Sequence, residues 1–205
     1  MKEKLAVNGL SKIFGASKWR ADCPGKVVCP GAQKFLENLL TNRKIRCIIK
    51  KKGKENPNMT KAIYFDMDGT IANFYGVPHW LDSLIASDPT PYRVAQPLLN
   101  MNSLARLLNR LQADGWHIGI VSWLSKSGTA DFNEAVTATK VEWLNRHLHS
   151  VNWDEVVIVP YGTPKHQVVE FATGILFDDE TPNRANWTGT AYDVNNIIEI
   201  LRGLR

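Results

Sequence analysis

The chain has 205 residues, a net charge of +5 and an apolar share of 44%, which suits one α/β domain with an appendage and an ordinary globular interior. No apolar run approaches the ~18 residues that cross a bilayer, and the start shows no apolar core with a small-residue cleavage site, so no signal peptide and no membrane partner are expected. Three cysteines (Cys23, Cys29, Cys47) are too few and odd in number for a disulfide framework, which points to a reducing cytoplasm.

The charge divides the chain. Residues 1–58 carry fourteen Lys/Arg against four Asp/Glu, and residues 59–205 carry eleven against sixteen. The basic segment is read as a solvated or poorly ordered extension rather than a nucleic-acid arm, because it holds no recognisable nucleic-acid-binding motif. Within it, spacing predicts a helix over Gln33–Leu40, a strand over Lys44–Ile49, and a linker over residues 50–58. Cys23-Pro-Gly and Cys29-Pro-Gly repeat a tripeptide, but no second Cys or His pair stands nearby to complete a zinc site. Lys54-Glu55 is encodable as AAG-GAG, a ribosome-binding sequence, three codons before Met59. Translation is therefore expected to start at Met59, with residues 1–58 as an upstream over-read.

From Met59 strands and helices alternate. Ala62–Phe65 is a short apolar strand ending at Asp66. Apolar residues at helical spacing predict a helix over Leu98–Ala113, stopped by Gly115. His117–Val121 reads as a strand, Phe132–His147 as a long helix, and Glu155–Val159 as a third strand. Pro164 is placed to start a helix over Lys165–Phe171. A fourth strand, Gly174–Phe177, ends at Asp178, and a helix over Asn195–Leu204 closes the chain. Repeated βα units predict an α/β fold: a three-layer, Rossmann-like parallel sheet with helices on both faces.

In such sheets function collects at the carboxyl edge of the strands. Four strand ends here are polar: Asp66-Met67-Asp68-Gly69-Thr70, Ser122, Thr163-Pro164-Lys165, and Asp178-Asp179-Glu180. Several carboxylates in one cleft repel one another. A hard divalent cation with oxygen ligands resolves the conflict, and Mg2+ fits because it takes few carboxylates and keeps several waters. Lys165 as a point charge and Ser122 as a donor suit a phosphate. Together they make an apparatus for phosphoryl transfer.

This ordered set resembles the haloacid-dehalogenase (HAD) superfamily, whose DxDGT motif, strand-end Ser/Thr, Lys and acidic pair all stand here in order over residues 60–205 or so. The resemblance implies that Asp66 is the nucleophile and forms an aspartyl-phosphate, and that Asp68 is the acid/base. It implies a Mg2+ site of Asp66, Asp178 and the Asp68 carbonyl, with Asp179 orienting the metal shell. Ser122, Lys165, Thr70 and Trp123 fall to the phosphate-binding region. Two positions depart from the family pattern: Asn73 follows the first motif, and Asn183 stands where several members have an acidic residue, for which Glu180 is a substitute.

Family members select substrates with a cap inserted after the first motif. Here the insert, about residues 74–97, holds one short helix and a loop, too little for a full helical cap. The site is therefore expected to be open, as in compact phage and bacterial nucleotidase-like members. Trp80, Trp123 and Trp187 lie near the expected mouth, where aromatics stack on a base, although packing is the favoured role for Trp123 and Trp187. The first reading is a phosphatase acting on a nucleotide or similar small phosphate ester. The alternatives are a nucleic-acid 3′-end phosphatase and a non-catalytic binding protein on the same scaffold. Retention of both Asp66 and Asp68 argues against the last.

Overall fold

The computed structural model describes residues 61–204. The expected helix at Gln33–Leu40, the strand at Lys44–Ile49, the linker, the cysteines and the start at Met59 all lie outside these residues.

Five strands form one parallel sheet: β1 (Ala62–Phe65), β4 (His117–Trp123), β5 (Glu155–Val159), β6 (Ile175–Phe177) and β7 (Thr190–Tyr192), in the order β5-β4-β1-β6-β7. The register runs Phe65 against Ile120 on one side and Phe177 on the other. β1 is wholly buried, as its apolar run requires when both faces of a parallel strand are covered. The chain leaves β1 toward β4 and β5, then returns to the other side for β6 and β7. The carboxyl end of β1 is thus the point where strand order reverses, the usual crevice of such sheets.

Six helices are present among the described residues: α1 (Trp80–Ile85), α2 (Thr90–Val94), α3 (Met101–Ala113), α4 (Ala130–His147), α5 (Thr181–Ala185) and α6 (Ile197–Gly203). On one face of the sheet, Ile63, Phe65 and Ile118 pack with Leu104 and Leu108 of α3, Trp143 of α4 and Leu201 of α6. On the other face, Tyr64, Val121 and Leu176 are closed over by Val168, Phe171 and Trp187. That second layer is largely irregular chain.

The expected helix over Lys165–Phe171 is corrected to a single 3-10 turn, Lys165–Gln167. Side chains take the backbone donors that a helix would use internally. Glu170 N–H donates to Glu155 Oε2 (3.2 Å) and Phe171 N–H to the Tyr64 hydroxyl (3.2 Å). The helix expected from Leu98 begins instead at Met101, because Leu98 N–H is committed to the Ile71 carbonyl and Asn100 caps the helix through Ser103 N–H.

The insert is built on a small antiparallel pair, β2 (Ala72–Asn73) with β3 (Gln96–Pro97), which brings its two ends together. Between them are two short helices, α1 and α2, rather than one. Phe74 and Tyr92 of the insert pack with Phe132 and Val136 of α4, with Trp80 and Leu84 against them. The insert therefore rests on the N-terminal half of α4, beside the sheet's carboxyl edge.

Candidate active site

Asp66 follows β1 directly and is held there by its N–H donating to the Phe177 carbonyl (2.9 Å). The loop then turns tightly: the Met67 carbonyl accepts from the N–H groups of Thr70, Ile71 and Ala72. Gly69 makes this possible with φ of 81°, and a Cβ there would collide with the Asp179 carboxylate and the Tyr75 ring. The turn leaves Asp66 and Asp68 both lining the cleft.

Lys165 opens the 3-10 turn after Pro164 and is buried. Its ammonium donates to Asp66 Oδ1 (2.8 Å) and to Asp178 Oδ2 (2.6 Å), so one lysine bridges the ends of β1 and β6. Trp123 positions it: the indole N–H donates to the Thr163 carbonyl (2.8 Å), and the Lys165 ammonium lies 5.2 Å from the ring centroid. Asp178 is fully buried. Its Oδ1 accepts from Glu180 N–H and from the Asn183 amide, which reaches both carboxylate oxygens. Asn183, the departure noted in the sequence, thus supplies donors to Asp178 where an acid would have added charge. Arg184 fixes the same loop through the carbonyls of Asp178 and Asp179.

Thr70 is wholly buried, and its hydroxyl oxygen accepts from Asp179 N–H (3.2 Å). This contact ties the first motif to the acidic pair. Trp187 lies in the core, its indole N–H on the Gly174 carbonyl, whereas Trp80 and Trp123 line the cleft.

The sequence reading missed Lys140. It sits in the middle of α4, 1% exposed. Its ammonium donates to Asp68 Oδ2 (2.6 Å), Ser122 Oγ (2.9 Å) and the Trp123 carbonyl (2.7 Å). A signal was present: Phe132, Val136, Thr139, Lys140, Trp143 and Leu144 are the buried residues of α4. A lysine in a buried stripe otherwise filled by apolar residues and one threonine is rare unless it is paired.

The electrostatics follow from crowding. Burial and then the negative charges of Asp66 and Asp178 push the Asp179 carboxyl up to about 7. Burial, reinforced by Asp66 and opposed by Lys165, raises Asp178 above the usual carboxylate range. Burial also raises Asp68, with Lys140 pulling against it. Burial alone would lower Lys165, but Asp66 and Asp178 outweigh that and raise it. The carboxyl groups of the site therefore outnumber the lysines that face them, and crowding favours their protonated forms. Among the described residues no three His, Cys, Asp or Glu side chains form a ready-made metal cage. A cation that keeps most of its waters requires no such cage, and the surplus of hard oxygen donors at Asp66, Asp178 and Asp179 fits Mg2+.

Above these residues opens a cleft of about 570 Å³. Tyr75, Trp80, Leu81, Leu84 and Ile85 of the insert line it together with Tyr161, while the lining rings of Phe74 and Tyr92 are almost wholly buried. Lys126 also faces this cleft, 5.7 Å from the Tyr161 ring centroid.

No protein-family model matches the chain, and no curated protein sequence does either. Solved structures do match. One is the D,D-heptose 1,7-bisphosphate phosphatase from B. bronchiseptica, complexed with magnesium and phosphate, at 16% identity and a TM-score of 0.43 over 64% of this chain and 78% of that one. Another is the D,D-heptose 1,7-bisphosphate phosphatase from Burkholderia thailandensis, at 12% identity and a TM-score of 0.46 over 70% of this chain and 97% of that one. At such scores the likeness identifies neither substrate nor chemistry, which have to come from the side chains.

Proposed function

We propose that the protein is a Mg2+-dependent phosphomonoester hydrolase of the haloacid-dehalogenase type. The observation that carries this reading is the bridge from Lys165 to Asp66 and Asp178, with Asp68 and Ser122 beside it, at the point where strand order reverses. In the first step an Asp66 carboxylate oxygen attacks phosphorus and the bond to the leaving oxygen breaks. Asp68 donates its proton to that oxygen, which departs as an alcohol. In the second step Asp68 takes a proton from water, and the water oxygen attacks phosphorus. The bond to Asp66 breaks, releasing inorganic phosphate and restoring the carboxylate. Lys165 and Ser122 hold the phosphoryl oxygens. Asp66, Asp178 and the Asp68 carbonyl would hold Mg2+, with Asp179 orienting its shell, and the ion supplies positive charge to the phosphoryl group when bound.

The accessible rings of Tyr75, Trp80 and Tyr161 along the cleft favour a leaving group with a flat face, so a nucleotide is the preferred substrate. Base–aromatic stacking contributes about 1–3 kcal/mol per base, and a polar sugar phosphate would leave those rings unused. The test is phosphate release from mononucleotides, sugar phosphates and 3′-phosphorylated oligonucleotides, with Mg2+ or EDTA, for wild type and Asp66→Asn. Magnesium-dependent release from mononucleotides, lost in Asp66→Asn, is expected. Preference for the oligonucleotide would move the reading to end-processing, and no release from any of them would remove it.

A further inference from the structure

Lys140 contributes a charge that the two-step chemistry above does not use. Its three N–H donors meet three acceptors: Asp68 Oδ2, Ser122 Oγ and the Trp123 carbonyl. The Tyr92 ring covers it from the insert, with the ammonium 5.1 Å from the centroid. No donor remains for a substrate, so any effect on the reaction passes through the groups it holds.

We propose that Lys140 is a positioning residue for proton transfer and phosphoryl binding, a role that rests on the phosphatase reading. It distinguishes the two oxygens of Asp68. Oδ2 is committed to the ammonium, which leaves Oδ1 as the atom that delivers a proton to the leaving oxygen and later takes one from water. It also polarises Ser122. The Ser122 oxygen accepts from Lys140, so the hydroxyl hydrogen is left to donate, and among the described residues it donates to no protein group. That hydrogen is directed to a phosphoryl oxygen. Through the Trp123 carbonyl the same ammonium fixes the end of β4, from which Ser122 and the Trp123 ring project. One buried cation thus aligns both the proton carrier and the hydroxyl that donates to the phosphoryl group.

A lysine that merely satisfied the core would not sense the leaving group, whereas one that aligns the proton carrier does. Lys140→Met and Asp68→Asn are assayed with Mg2+ on p-nitrophenyl phosphate, whose phenolate leaves without a proton, and on β-glycerophosphate, whose alkoxide requires one. In Lys140→Met, kcat/KM, which reports the step that expels the leaving group, is expected to fall about 100-fold on β-glycerophosphate and by about a tenth of that factor on p-nitrophenyl phosphate. Asp68→Asn is expected to show the same ordering. Lys140→Arg covers the case in which the methionine variant does not fold. Its planar fork keeps the charge but cannot reproduce three converging bonds, and the same dependence on leaving group is expected. Equal losses on both esters, or none, in a variant with wild-type circular dichroism would overturn the role of Lys140 while leaving the phosphatase reading intact. A wild type inert toward both esters would remove the two together.

Discussion

Two buried lysines divide the site, and they do different work. Lys165 sits between two carboxylates, Asp66 and Asp178. Lys140 sits among one carboxylate, one hydroxyl and one carbonyl. The Lys140 half is balanced, one cation to one anion. The Lys165 half is not, and Asp179 adds to its surplus. On the proposed reading an arriving Mg2+ is drawn to the ends of β1 and β6, while the end of β4 is left to handle protons and phosphoryl oxygens. Charge counting alone separates the Lys165 side of the cleft from the Lys140 side.

The largest effect expected on this contrast comes from Asp66, the proposed nucleophile. Asp66→Asn should lower kcat by about 10⁴-fold or more, since the residues of such a unit are not additive. Single-turnover phosphate release is the measurement, and turnover near wild type would place the chemistry elsewhere.

Lys165→Met breaks a fully buried pair and is expected to cost about 3–5 kcal/mol in urea unfolding. Mg2+ should restore part of that loss, because it supplies charge to the same two carboxylates. The loss in Lys140→Met should be insensitive to Mg2+. Equal rescue of both variants would erase the distinction between the halves.

A smaller effect is expected at the rim. Trp80→Ala should raise KM for a mononucleotide about tenfold, the equivalent of roughly 1.4 kcal/mol of stacking, with kcat unchanged and β-glycerophosphate kinetics unaffected. A parallel rise for both substrates would mean that Trp80 shapes the cleft without touching a base.

The last effect is a matter of pH. The Asp179 carboxyl is raised in the folded state from its ordinary value of 3.8 to about 7. The folded protein thus holds that proton more tightly than the unfolded chain does. Its stabilising contribution is complete below about pH 4 and is lost as pH rises through 7. Without Mg2+ the melting temperature should decline across that window. The increment on adding Mg2+ should be larger at pH 8 than at pH 5, where the ion competes with the proton. A constant increment would show that Asp179 has no part in holding the ion.

Much of the Lys165 half was readable from residue order alone. Asp66, Asp178 and Lys165 each follow a strand or a proline that announces them, and the structure brings them within hydrogen-bonding distance. The Lys140 half was harder to read. Lys140 lies 72 residues from Asp68, inside a helix whose sequence gives no sign that its stripe runs toward the cleft. The helix expected at 165–171 was lost for a related reason, because Glu155 and Tyr64 draw off its backbone donors from distant strands. Thr70 illustrates the same limit: its motif places it near phosphate, but only tertiary contact shows its hydroxyl on the Asp179 N–H. Local spacing locates residues along a strand or turn, and it carries no record of which distant side chain will claim their donors.

The β2–β3 pair has a consequence for how such an enzyme can change. Ala72 lies opposite Pro97 and Asn73 opposite Gln96, so everything between them enters and leaves through one narrow doorway. A longer or different lid could be spliced in at that doorway without rethreading the sheet or disturbing Asp66. Selectivity could then be rewritten by exchange of a single cassette, with the reaction apparatus beneath it left as it stands.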